Sequence, residues 1–176
     1  NVANQDSGGK RSYRLRQKFN VPPTHRIGDH LMAFEGLGWE SDVAGYRLYL
    51  DERMAIDIFG KREPDNVLHR VGLGADDYHS LAPWGMDIFK VGDTVGVGAI
   101  GRLRGGKAVQ LGPSTISVMI DSAAPARASV EVTNSKLDGA DGVLVTRYTI
   151  EAGSALTRVS AKARSGDGAP FVTGLT

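Results

Sequence analysis

Alternation of apolar and polar side chains with a period of two, interrupted by glycine- and aspartate-rich turns, most constrains the fold of this chain. Residues 116–120, 128–133, 143–151 and 155–163 all alternate, and between them lie residues 121–127, the run Asp138-Gly139-Ala140-Asp141-Gly142 and the run Ala152-Gly153-Ser154. Successive side chains of a strand point to opposite faces, so each segment reads as a strand with one buried face. The 23 glycines follow no collagen period and sit among short Val, Ile and Leu runs, which favours tight turns between short strands. The expected fold is all-β, an antiparallel β-sandwich.

The first half is less regular. Residues 12–19 alternate Tyr13, Leu15, Gln17 and Phe19 against basic Arg14, Arg16 and Lys18, a half-buried strand that Pro22-Pro23 stops. Residues 25–38 show no clean period. Residues 43–50 predict a strand with Arg47 and Tyr49 on its polar face, and Asp51-Glu52 turns it into a second strand over 53–59. Strands are further predicted over 67–73, 87–91 and 95–104, with a loop over 74–83. Gly96, Gly98 and Gly101 weaken the last of these unless something packs closely on the bare face. Gly105-Gly106 signals a hairpin to residues 107–111, and residues 171–175 open another strand in mid-pattern. We therefore expect one β-sandwich unit over residues 1–176, incomplete at its C-terminal end, with the N-terminal end open to the same question.

The totals exclude several function classes. Among 176 residues, Lys+Arg of 21 against Asp+Glu of 20 gives a formal charge of +1, which makes no electrostatic case for nucleic acid as a partner. No apolar run is long enough for a membrane span, and no signal-peptide layout opens the chain. Without cysteine, a nucleophile or metal ligand must be oxygen or nitrogen. Gly96-Val97-Gly98-Ala99-Ile100-Gly101 has dinucleotide-type glycine spacing, but hairpins surround it where a βαβ unit is required.

The residues able to do chemistry cluster between Trp39 and Gly101. Glu40 and Asp42 share one face of an extended segment beside Trp39, a pair that can bind a cation or a sugar hydroxyl, or simply be solvated. Arg47, Asp51, Arg53, Asp57 and Lys61 alternate in sign along a hairpin, which usually means cross-strand ion pairs. A uronic acid site would need such a cation to hold its carboxylate. Asp76-Asp77-Tyr78-His79 joins the side chain that titrates nearest neutrality to a phenol, in a loop where both can reach one pocket. Trp84-Gly85-Met86-Asp87, followed by Lys90, sets an indole beside a bare glycine, as in sugar-stacking platforms, or as a tryptophan capping a core. His25, His30, His69 and His79 lack the spacing of a zinc site, although His79 with Asp77, Asp87 or Glu40 could form a nitrogen and oxygen site for calcium, manganese or zinc.

Taken in order, Gly38-Trp39-Glu40-Ser41-Asp42, Tyr46-Arg47-Leu48-Tyr49-Leu50-Asp51, Asp57-Ile58-Phe59-Gly60-Lys61, Asp77-Tyr78-His79, Trp84-Gly85-Met86-Asp87 and Lys90-Val91-Gly92 resemble a bacterial polysaccharide-utilisation family catalogued as domain of unknown function 4861. The resemblance implies a mutarotase-like or lyase-associated supersandwich, chains longer than this one, a periplasmic setting, and dehydratases acting on unsaturated uronyl oligosaccharides such as those from ulvan. On it rests the expectation of a carbon-oxygen lyase removing water from a terminal unsaturated uronic acid. His79 and Tyr78 are expected as base and acid in either order, and Arg47 or Lys90 as the cation on the carboxylate. Trp39, Trp84, Tyr49 and Lys61 are expected to bind the sugar, and Glu40, Asp42 and Asp87 are candidate ligands for a divalent metal ion. The glycan is the expected partner. A non-catalytic carbohydrate-binding sandwich and a polysaccharide lyase are the alternatives.

Overall fold

The alternating segments are strands. In the computed structural model, which describes residues 2–5, 11–73, 78–137, 139–164 and 166–175, the order begins β1 (Val2–Gln5), β2 (Arg11–Arg14), β3 (Lys18–Asn20), β4 (Gly36–Glu40), β5 (Ala44–Tyr49), β6 (Ile56–Lys61) and β7 (Gly85–Asp87). It continues β8 (Val97–Arg104), β9 (Lys107–Val109), β10 (Thr115–Ala124), β11 (Arg127–Leu137), β12 (Gly142–Glu151), β13 (Thr157–Arg164) and β14 (Phe171–Leu175). One 3-10 turn, Ala33–Glu35, precedes β4, and no α-helix occurs among the described residues. None of these elements is a helix long and apolar enough to cross a membrane.

Two antiparallel sheets carry the fold. One has the order β13-β12-β11-β10-β3 and the other β4-β5-β6-β7, while β14-β8-β9 and the ribbon β1-β2 are smaller. Trp39, Tyr46, Leu48 and Ile56 of the four-stranded sheet pack with Val118, Val132, Leu144 and Tyr148 of the five-stranded one in a single buried cluster. The expected β-sandwich is therefore the fold. Trp39 lies parallel to Tyr46 on one side and Tyr148 on the other, at 5.8 and 4.9 Å between ring centroids, and its indole N–H donates to Thr157 Oγ1 at 2.9 Å.

The four-stranded sheet is covered on its other face too. Phe34, Phe59, Val67, Leu68 and Val71 form a second buried cluster there, with Tyr78 and Trp84 packed against it. All six residues of β5 are consequently buried. This double cover decides the environment of the site.

Three strand expectations are corrected. Residues 67–73 form turns, with the Arg70 N–H donating to the Val67 carbonyl, and their apolar side chains act as a lid on the sheet where a ladder was expected. Residues 12–19 divide between β2 and β3, which join different sheets, and Leu15 between them is 74% exposed. The strand expected over 87–91 ends at Asp87, because the Asp87 carboxylate accepts the Phe89 N–H and so draws the backbone out of the ladder. The crowded glycines behave as expected at two points: a Cβ on Gly96 would overlap the Ile56 carbonyl oxygen, where β6 makes an isolated parallel bridge, and one on Gly101 would overlap the Val109 carbonyl oxygen of β9.

Candidate functional site

The ladder sets Arg47 of β5 directly opposite Asp57 of β6, on the face turned away from the main core. Both side chains are 1% exposed, so every charged hydrogen has to find a partner inside the protein. Arg47 Nε donates to Asp57 Oδ1 at 3.0 Å, and Nη1 donates to the Phe34 carbonyl at 3.3 Å and to Tyr78 Oη at 3.2 Å. Nη2 donates to Tyr49 Oη at 2.6 Å, to Asp87 Oδ2 at 2.7 Å and to Asp57 Oδ2. The Tyr49 ring lies between two guanidinium groups, with Arg47 4.3 Å and Arg53 3.7 Å from its centroid.

The electrostatics follow from this burial. Desolvation works against the charge on Arg47, yet Asp57 more than offsets it and the guanidinium holds its proton more tightly than usual. Desolvation raises the Asp57 pKa against the opposing pull of Arg47. It also raises Tyr49 and Tyr78 while Arg47 pulls each down, so both phenols keep their protons through neutral pH.

Asp87 links this buried network to the surface. Its Oδ2, besides accepting from Arg47, lies 3.2 Å from Nδ1 of His79, whose side chain is 63% exposed. A neutral imidazole with Nδ1–H directed at a carboxylate carries its lone pair on Nε2. The Tyr78 ring stands against the imidazole at 4.5 Å between centroids. His79 and Asp87 line a cavity of about 570 Å³ together with Tyr49, Lys90, Met86 and Phe89. A larger cavity, of about 740 Å³, lies away from this chemistry beside Pro22 and His25.

Four expected site residues, Tyr49, His79, Asp87 and Lys90, thus meet in one cavity. Two others stand behind it. Arg47 is wholly engaged in the buried network, and Tyr78 packs against the lid cluster with its hydroxyl on Arg47. The remaining residues serve elsewhere. Trp39 is 5% exposed in the main core, and Trp84 packs against the lid cluster near Phe59. Lys61 donates to Glu40 Oε2 at 3.0 Å and to the Ser41 carbonyl at 2.6 Å, and Glu40 also accepts the Val67 and Leu68 N–H groups at 2.9 Å each. Asp42 accepts the Gly153 N–H at 2.5 Å.

The candidate metal ligands therefore do not fit a divalent cation. Glu40 and Asp42 are occupied at separate places, Asp87 is held by Arg47, and no group of three or more His, Asp or Glu that could hold a metal ion occurs among the described residues. Asp76 and Asp77, the acids of the Tyr78-His79 loop, lie outside the described residues. Sequence reasoning missed the apolar walls Met86, Ile88 and Phe89. The one available signal was their position between Trp84 and Lys90.

No curated protein and no solved structure matches this chain. The family model described as Domain of unknown function (DUF4861) matches residues 2–176, nearly the whole sequence, and the chain belongs to that family.

Proposed function

We propose that the protein is a carbon-oxygen lyase that removes water from a terminal unsaturated uronic acid of an oligosaccharide, ulvan fragments being the substrates to try first. The observation that carries this reading is the Asp87–His79 pair in a cavity with Lys90, which assembles a base, its orienting carboxylate and a cation. His79 Nε2 takes the carbon-bound proton, and that electron pair becomes the new double bond. The C–O bond breaks, and the departing hydroxide takes the phenolic proton of Tyr49, the tyrosine that lines the cavity, to leave as water; Tyr78, the acid expected from sequence, stands behind it. Lys90 holds the substrate carboxylate and the charge that develops on it. Arg47 acts at one remove, holding Asp87 and stabilising the tyrosinate left on Tyr49. A periplasmic location is part of the proposal and is checked by cell fractionation.

The test is mass spectrometry of unsaturated uronyl oligosaccharides incubated with the protein. A loss of about 18 mass units is expected, with His79→Ala lowering the rate by about 10²- to 10⁴-fold, the usual contribution of a positioned base. Tyr49→Phe should act similarly, while a larger effect in Tyr78→Phe would move the acid back to Tyr78. Turnover is expected to survive a chelator, since the candidate ligands Glu40, Asp42 and Asp87 are already engaged; its loss would indicate a metal requirement. Because burial raises the Tyr49 pKa, the acid stays protonated and active until pH rises through a value above the ordinary 10.0. The alkaline limb of the rate profile should therefore lie beyond pH 10 and vanish in Tyr49→Phe. Binding without any mass change would favour a carbohydrate-binding module, and new chain ends would favour a polysaccharide lyase.

A further inference from the structure

Gly92 is the last wall residue of the cavity at His79. The next residue, Asp93, lines a separate cavity of about 450 Å³ with Gln110, Glu52 and Pro113. Gln110 ties the two together, its Nε2 donating to the Gly92 carbonyl at 3.0 Å and to the Thr94 carbonyl at 2.9 Å. Glu52 and Pro113 in turn belong to the wall of the 740 Å³ cavity beyond. The second and third cavities share Glu52 and Pro113, and the first adjoins the second at the Gly92–Asp93 peptide.

The far cavity has a wall fixed by hydrogen bonds and two cations beside it. His25 directs Nδ1 to Asp29 Oδ2 at 2.7 Å, and Asp29 is fixed by the Arg26 and Leu31 N–H groups at 2.9 and 2.8 Å. These bonds keep the Asp29 pKa below its ordinary value despite desolvation. The His25 side chain is 6% exposed, and its Nε2, with no hydrogen-bond partner among the described residues, is closed off from solvent, so His25 serves as a fixed wall. Pro22, Pro23 and Pro113 offer apolar wall to a ring face, and Arg26 and Lys136 place cations at the rim for uronate carboxylates.

From this arrangement we infer that the three cavities are one groove that binds an acidic oligosaccharide several rings long, its reacting end at His79 and its distal rings at Glu52, Arg26 and His25. The inference rests on the glycan reading above and adds a distal binding site to it.

Calorimetric titration with uronic-acid di-, tetra- and hexasaccharides tests it, because affinity is read without turnover. The longer chains should bind the wild-type protein about tenfold or more tighter than the disaccharide, since added contacts come with the same rigid-body cost. The double variant Arg26→Ala, Lys136→Ala changes two exposed side chains, the cations of the far cavity, and should remove that advantage while leaving disaccharide affinity unchanged. Affinity independent of chain length, or a length advantage that survives the double variant, overturns the groove. Length-dependent binding without loss of water would retain the groove and remove the dehydratase reading. Water loss without length dependence would do the reverse, and no binding at any length would remove both.

Discussion

A guanidinium that is 1% exposed is stable only where its surroundings answer each N–H, and at Arg47 two carboxylates, two phenols and a carbonyl do so. Removing one partner of such a network costs more than the network contributes, because the other charges stay buried. Arg47→Leu should therefore destabilise the protein by about 3–5 kcal/mol, measured by urea denaturation, as Asp57 and Asp87 lose their counter-charge. Adding Asp57→Leu should recover part of this, since one orphaned carboxylate goes with it; additive losses would mean that the two residues do not act as a pair. The same scale explains what the sequence could tell. Sign alternation along the hairpin pointed to cross-strand ion pairs, of which Arg47–Asp57 is one, and the Tyr78-His79 motif pointed to the exposed imidazole. Nothing in local spacing pointed to Lys61 and Glu40 meeting each other and pinning the Val67–Leu68 backbone.

Among the elements, the short strand β7 matters most, because it delivers Asp87 to both Arg47 and His79. It begins at Gly85, whose φ of 134° lies where only glycine is comfortable, and where a Cβ would overlap the Gly60 carbonyl oxygen of the neighbouring strand. Gly85→Ala should cost about 1–3 kcal/mol through forced backbone displacement, and lower the oligosaccharide turnover rate as Asp87 shifts. Wild-type turnover with lowered stability would show that the Asp87–His79 geometry tolerates a displaced strand. Strand boundaries were legible where alternation was uninterrupted, as in β12, whereas β11 runs past the expected 133 to Leu137, through a register shift at its end. They were not legible in residues 67–73 and 87–91, where apolar side chains serve a lid and a cavity wall outside any ladder.

For the whole molecule, the decisive fact is that the four-stranded sheet is sandwiched between two hydrophobic clusters, one facing the five-stranded sheet and one under the lid. Trp39 belongs to the first. Trp39→Phe should lower stability by roughly 1–3 kcal/mol, through lost packing and the lost bond to Thr157, and leave oligosaccharide affinity unchanged. A tenfold loss of affinity at unchanged stability would return Trp39 to the substrate. Sequence by itself determined the all-β class, the sandwich, most of the strands and turns, and the stretch that holds the candidate site, because period-two patterning and turn residues act locally. Tertiary structure alone decided which of the reactive residues face a cavity. Tyr49, His79, Asp87 and Lys90 do, while Trp39, Lys61, Glu40 and Asp42 are engaged in holding the sheets and loops together. The reason is physical: a residue's type is written in the chain, but whether its face of a strand meets solvent depends on what distant segments lay over it.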